Sequence, residues 1–293
     1  MATIELNGQR VEYLEQGAGE PVVLLHSTGA SGSQWRRLAA ALGGRFHVIA
    51  PDLCGYGGTA PWPGDGEISL AAEAQVIGAL IERLDQPVHL VGHSFGGAVA
   101  LRLAQDHPEL IKSLVLIEPV AFHLLRAGDA IDAQAFEEIS RVAEGVARAV
   151  ACGDFQGGFG RFLDYWSGEG AWAALPRERR GALAVRLGKV ALDFWSALHD
   201  PARLCDLAEL DFPTLVIRGG TSPLPVRRIA WHLARTLPRV QLETIEHAGH
   251  MAPLTHADDV NALIAAHLGR NAMRAGRGDH GVLVSARLRA VAA

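Results

Sequence analysis

Residues 88–104 read VHLVGHSFGGAVALRLA, and the order of residue types in this stretch decides the fold. An apolar run from Val88 to Val91 passes straight into Gly-His-Ser-Phe-Gly, and apolar residues then recur at helical spacing. The stretch therefore reads as strand, sharp turn, helix. Gly92 and Gly96 flank Ser94 because such a turn crowds neighbouring backbone and leaves little room for a Cβ, while the strained turn lifts the serine hydroxyl above the sheet. The helix behind it turns its N-terminus toward that hydroxyl, and free N–H groups there stabilise negative charge. Together these features form the sequence context of a nucleophile elbow.

Outward from this turn, strand-like runs alternate with helical patterns. PVVLLH precedes a helix expected from Trp35 to Leu42, HVIAPD follows, and a helix from Ser69 to Leu84 leads into PVHLVGH. Beyond the helix from Phe95 to His107 come IKSLVLIEP, PTLVIRG, a helix from Val226 to Leu237, VQLETIE, and a last helix from Ala257 to Leu268. This alternation means βαβ units and a mostly parallel sheet covered on both faces. At the amino end, IELNGQRVEYLE carries two alternating runs around Asn7-Gly8, a hairpin signal, which brings the expected strand count to eight.

Between LVLIEP and PTLVIRG lie about ninety residues without a strand pattern, read as an insertion of three or four amphipathic helices. Phe136, Ile139, Ala143, Val146 and Val150 step by three and four, as do Phe155, Phe159, Phe162 and Trp166, and then Leu187, Ala191, Phe194 and Leu198. More than half of the chain's Phe, Trp and Tyr fall in the insertion, so its buried face is expected to be aromatic, either as a small core or as the wall of a ligand pocket. The tail after residue 270 is basic and aperiodic, and its Arg277-Gly278-Asp279 reads as a chance tripeptide.

Composition narrows the function classes. With 293 residues, 49% of them hydrophobic and 20% charged, the chain reads as one large α/β domain with an insertion. A formal net charge of -5 argues against nucleic acid as a partner. The amino terminus carries neither a basic n-region nor an apolar h-region, and no uncharged run is long enough to span a bilayer, so no membrane partner and a cytoplasmic location are expected. Cys54, Cys152 and Cys205 are far apart and form no C-x-x-C pair, which reads as three structural thiols. No His/Cys cluster or H-E-x-x-H pattern argues for a metal, and no cofactor is expected.

GHSFGG, LLHSTGASGSQW, VIAPDLCGYGGT and EHAGHMAPLTHADDV, in that combination, resemble the α/β-hydrolase fold family over residues 3–268. The resemblance implies that backbone N–H groups of Thr28 and Phe95 form an oxyanion hole, with Ser27 where the family usually has Gly. His250, in AGH before the final helix, is the expected general base for Ser94, with His247 its competitor. His26 is expected to brace the oxyanion loop, and His93 to pack sideways from the elbow. The family's acid usually follows the strand that here reads PTLVIRG, but the matching position is Ser222, and no acidic residue lies between Asp211 and Glu243. Some relatives carry the acid after the preceding strand. That strand here ends in Glu118, which becomes the expected triad carboxylate.

These readings give an eight-stranded α/β-hydrolase core over residues 1–121 and 207–270. A helical cap over 122–206 lies between strands 6 and 7, with a tail from 271 to 293. The expected function is hydrolysis of a carboxylic ester with an apolar group through an acyl-enzyme on Ser94. Phe159, Phe162 and Trp166 would line the substrate pocket. Relatives also hydrolyse a carbon–carbon bond in dicarbonyl compounds, or retain a triad as slow-turnover ligand receptors, and both stand as alternatives. Perhydrolase or haloperoxidase-type side activity is a further one. Serine at the elbow argues against dehalogenase and epoxide hydrolase chemistry, whose relatives carry Asp there. The sequence does not specify an oligomeric state, and a homodimer stands as one option.

Overall fold

The structure is a computed structural model that describes residues 1–6, 8–61 and 68–272. Asn7 of the expected hairpin turn and the Arg277-Gly278-Asp279 tripeptide lie outside the described residues. Eight strands form one sheet: β1 (Ala2–Leu6), β2 (Gln9–Gln16), β3 (Glu20–Leu25), β4 (Phe46–Pro51), β5 (Val88–His93), β6 (Ile111–Ile117), β7 (Thr214–Gly219) and β8 (Val240–Ile245), in the order 1-2-4-3-5-6-7-8. Only β2 runs against its neighbours; from β4 to β8 every pairing is parallel. The centre of the sheet is β5, whose six residues are all buried, as its unbroken apolar run requires when helices cover both faces.

The helices are α1 (Arg36–Leu42), α2 (Leu70–Glu82), α3 (Phe95–Asp106), α4 (Ala130–Ala151), α5 (Phe155–Ser167), α6 (Arg177–Ala184), α7 (Leu187–His199), α8 (Leu224–Thr236), α9 (Ala252–Thr255) and α10 (Ala257–Asn271). The expected helices appear within a few residues of their sequence-read ends. Trp35, read as the first residue of α1, instead closes a 3-10 turn (Gly32–Trp35) just ahead of it. Two apolar clusters flank the sheet. One gathers β3, β5 and β6 with α2, α3 and the inserted helices, and the other packs Trp35, Leu38 and the α10 residues Val260, Ile264 and Leu268 against the opposite face.

The segment between β6 and β7 holds four helices, α4 to α7. Helix α4 begins with a capping box, Asp129 and Asp132 each taking the other's backbone N–H, which satisfies donors that the helix leaves open. The stripe it buries is Ala135, Ile139, Ala143, Val146 and Ala149, so Phe136 and Val150 lie at its half-buried edge. Asp132 also binds α8 of the core, through Arg228 Nε at 2.7 Å and His232 Nε2 at 2.9 Å. Cys54 is buried, whereas Cys152 and Cys205 are exposed and have no packing role. No helix among the described residues is long and apolar enough to cross a membrane.

Candidate active site

Ser94 stands between β5 and α3 with φ 56 and ψ -118, a backbone conformation that non-glycine residues seldom adopt. The two flanking glycines make it possible. A Cβ on Gly92 would meet the Gly96 carbonyl oxygen at 2.3 Å, and one on Gly96 would meet the His26 carbonyl oxygen at 2.5 Å. The Gly96 N–H donates to that His26 oxygen at 3.1 Å, fastening the start of α3 to the end of β3.

Three side chains from three separate loops meet at this turn. The Ser94 hydroxyl and His250 Nε2 are 2.9 Å apart, and His250 Nδ1 lies 3.2 Å from Glu118 Oε2. Glu118 Oε1 accepts the Gly219 N–H at 2.6 Å, so both carboxylate oxygens are engaged. Glu118 is fully buried, with His250 2% and Ser94 5% exposed. With Nδ1–H donated to the carboxylate, Nε2 carries the lone pair that can take the serine proton. Ser222, at the family's usual acid position, is buried 3% exposed, and its hydroxyl has no partner among the described residues. His247 is exposed and stays outside this chain of bonds.

His26 and His93 hold the frame in their neutral forms. The Leu53 N–H donates to His26 Nε2 at 2.9 Å, so Nδ1 carries the proton and donates to the Ser27 carbonyl at 2.8 Å. Burial lowers the pKa of His26 to about 4. His93 donates Nε2–H to the His250 carbonyl at 2.9 Å and accepts from Gln34 at 3.1 Å; burial, then the neighbouring His250, lower its pKa to about 3. Gln34 Oε1 in turn accepts from the Ser27 N–H and hydroxyl, at 3.2 and 3.0 Å. Serine in place of glycine thus adds a hydrogen bond to the loop. The Gln34 link was not foreseen, since nothing in its sequence position marks it.

Above Ser94 lies a cavity of about 360 Å³, its floor made by Thr28, Phe95 and His250 and its walls largely by the inserted helices. Phe159, Phe162 and Trp166 all line it. They succeed one another on α5 at the spacing of one helix face, which is why the sequence pattern places them together. Trp166 does more than form a wall: its ring lies over the His250 imidazole, centroids 3.9 Å apart and planes 33° from parallel. The backbone N–H groups of Thr28 and Phe95 have no hydrogen-bond acceptor among the described residues. A group of charged residues lies beside this floor and was missed by the sequence reading: Glu73, Lys189 and Asp193, joined to Tyr56 and Thr28. Its available signals were the i,i+4 spacing of Lys189 and Asp193 and an acid in the otherwise apolar first turn of α2. No group of three or more residues able to hold a metal ion occurs among the described residues.

Among known proteins, the chain is 28% identical over 285 residues to the dihydrolipoyllysine-residue acetyltransferase component of the acetoin cleaving system of Cupriavidus necator, covering 90% of this chain and 68% of that one. It is 25% identical over 280 residues to the (E)-2-((N-methylformamido)methylene)succinate hydrolase of Acinetobacter baylyi, covering 91% and 97% of the two chains. The solved thermophilic esterase of Thermogutta terrifontis superposes with a TM-score of 0.71 at 25% identity, over 93% of this chain and 99% of that one. The profile of the alpha/beta hydrolase fold matches residues 20–257, a span that begins with β3 and takes in the elbow, the insertion and the His250 loop. Sheet order, elbow and profile agree, and the chain belongs to the α/β-hydrolase fold family.

Proposed function

We propose that the protein is a serine hydrolase that cleaves carboxylic esters carrying an apolar group, with Ser94 as nucleophile, His250 as base, Glu118 as its carboxylate partner, and α4 to α7 as a cap. The observation that carries this reading is the chain of hydrogen bonds from Ser94 through His250 to Glu118 on the floor of an apolar cavity. His250 Nε2 takes the serine proton as Oγ attacks the ester carbonyl carbon. The carbonyl oxygen becomes an oxyanion held by the Thr28 and Phe95 N–H groups, while Glu118 stabilises the imidazolium. Collapse expels the alcohol, which takes the proton from His250 and leaves an acyl group on Ser94. Water, deprotonated by His250, then attacks the acyl carbon; the carboxylic acid leaves and the proton returns to Ser94. The aromatic lining from Phe159, Phe162 and Trp166 suits an apolar acyl or alcohol group. A serine at the elbow, rather than an aspartate, supports acyl transfer over epoxide opening.

Ser94→Ala should abolish turnover of p-nitrophenyl esters while the fold persists, a loss of about 10⁶-fold in kcat by analogy with removal of a serine nucleophile elsewhere. An organophosphonate should label the wild type at Ser94 alone, as read by mass spectrometry, and leave the variant unlabelled. Labelling at another serine would overturn the assignment. A stoichiometric burst without turnover would point instead to a slow-turnover receptor.

A further inference from the structure

Helix α7 of the insertion reaches down to the oxyanion loop at two places. Arg186, just ahead of α7, donates from Nη1 to the Gly29 carbonyl at 2.6 Å. About two turns further along, Asp193 Oδ2 accepts the Thr28 hydroxyl at 2.7 Å and the Tyr56 hydroxyl at 2.6 Å. Its other oxygen binds Lys189, one turn back on α7, and Lys189 also reaches Glu73 of α2 at 3.2 Å. The Lys189 ammonium lies 4.9 Å from the centre of the Phe95 ring, within cation–π range. Asp193 is 3% exposed, so its own contacts are made largely away from bulk water, where a hydrogen bond to a charged group is strong and an unpaired one costly. The network therefore touches both residues read as oxyanion donors, Thr28 and Phe95, which line the cavity, and it is anchored in the insertion rather than in the sheet.

We propose that Asp193 is a positioning residue for the oxyanion hole: by holding the Thr28 hydroxyl from above, it fixes the loop in the orientation that aims the Thr28 N–H at the cavity. This rests on the reading of the Thr28 and Phe95 N–H groups as oxyanion donors. Among the described residues Thr28 makes no side-chain bond to the sheet, and Gly29 after it has φ 77, a point at which the loop backbone is free to turn. Two bonds from α7, one on each of these residues, restrain it. Burial opposes the Lys189 ammonium, but Asp193 and Glu73 outweigh that effect and raise its pKa, so it stays charged and clamps the Asp193 carboxylate in place. The hole is then complete only when the insertion is docked.

The test compares Thr28→Val, Thr28→Ser and Asp193→Asn by ester kinetics and by the rate at which an organophosphonate labels Ser94. Labelling passes through an oxygen held in the same hole and needs no ester turnover. Loss of an oxyanion donor costs about 10²–10³-fold in kcat, and loosening one should cost less, about 10–10²-fold. Thr28→Val and Asp193→Asn should each lower kcat and the labelling rate by that factor with KM within about twofold, and Thr28→Ser, which keeps the hydroxyl, should restore both. The double variant Thr28→Val/Asp193→Asn should be no slower than the worse single variant, because both act through one bond. Wild-type labelling by Thr28→Val, or effects that multiply in the double variant, would overturn the proposal. If Asp193→Asn does not fold, the Thr28 pair decides alone. Should the wild type label at Ser94 yet turn over no ester, the ester reading fails while the labelling ratios still judge the positioning role.

Discussion

Glu118 is held at φ 49, a backbone conformation that costs a non-glycine residue of order 1–3 kcal/mol. Its two buried hydrogen bonds, to His250 and to the Gly219 N–H, account for its persistence there. Glu118→Gln keeps the shape but removes the charge and favours the wrong imidazole tautomer. A loss of about 10⁴ in kcat is expected, as for the equivalent carboxylate-to-amide change in a serine protease. Ser222→Ala should change kcat little, since the serine hydroxyl bonds nothing among the described residues. Ser222→Asp combined with Glu118→Gln restores a carboxylate at the family's usual position and should recover part of the rate. Steady-state kinetics on one ester decide it. Full activity in Glu118→Gln would remove Glu118 from the mechanism.

At the scale of elements, α5 turns one face to the cavity. Phe159, Phe162 and Trp166 meet the cavity, and Phe159 and Phe162 pack edge to face with centroids 5.5 Å apart. Phe162→Ala opens the cavity toward α7, where Phe194 lies 6.0 Å away. Acyl-chain preference should then move to longer chains, by about 1–3 kcal/mol of discrimination for each pocket methylene gained. Activity toward the shortest ester should fall less than the profile shifts. An unchanged chain-length profile with lowered Tm would make Phe162 a core residue only. Trp166 belongs to a different test, because it covers the imidazole: Trp166→Leu should lower kcat for short and long esters alike.

Across the whole molecule, burial keeps several histidines neutral. His26 and His93 titrate near 4 and 3, and burial lowers His89 as well, against 6.5 for an unperturbed imidazole. Between these values the unfolded chain binds more protons than the native one. Their contribution to stability is therefore complete above pH 6.5 and is lost progressively as the pH falls toward 4. Glu73 and Asp52, raised by burial, act with the opposite sign, so the comparison needs a variant. The urea midpoint of the wild type should fall more between pH 7 and 4.5 than that of His93→Gln, in which one of these sites is gone. Equal falls in the two proteins would show that His93 does not contribute.

The sequence by itself determined the architecture and the strained turn at Ser94, because both depend on local chemistry. An apolar strand, two glycines around a serine and an amphipathic helix are adjacent in the chain, and steric exclusion at Gly92 and Gly96 leaves one way to fold them. The proposed partner of His250 was legible as a position: one loop lacks a carboxylate, and the neighbouring strand ends in Glu118, which lies 3.2 Å from His250 Nδ1. Tertiary structure alone decided what spans long separations. Asp193 lies 165 residues from Thr28, and Trp166 lies in a separate element from His250; no local pattern distinguishes a helix residue that packs inward from one that reaches across to another loop. Periodicity specifies which face of a helix is buried, but its partner is set by the docking of the insertion onto the sheet, a sum of many apolar contacts that only the folded chain resolves.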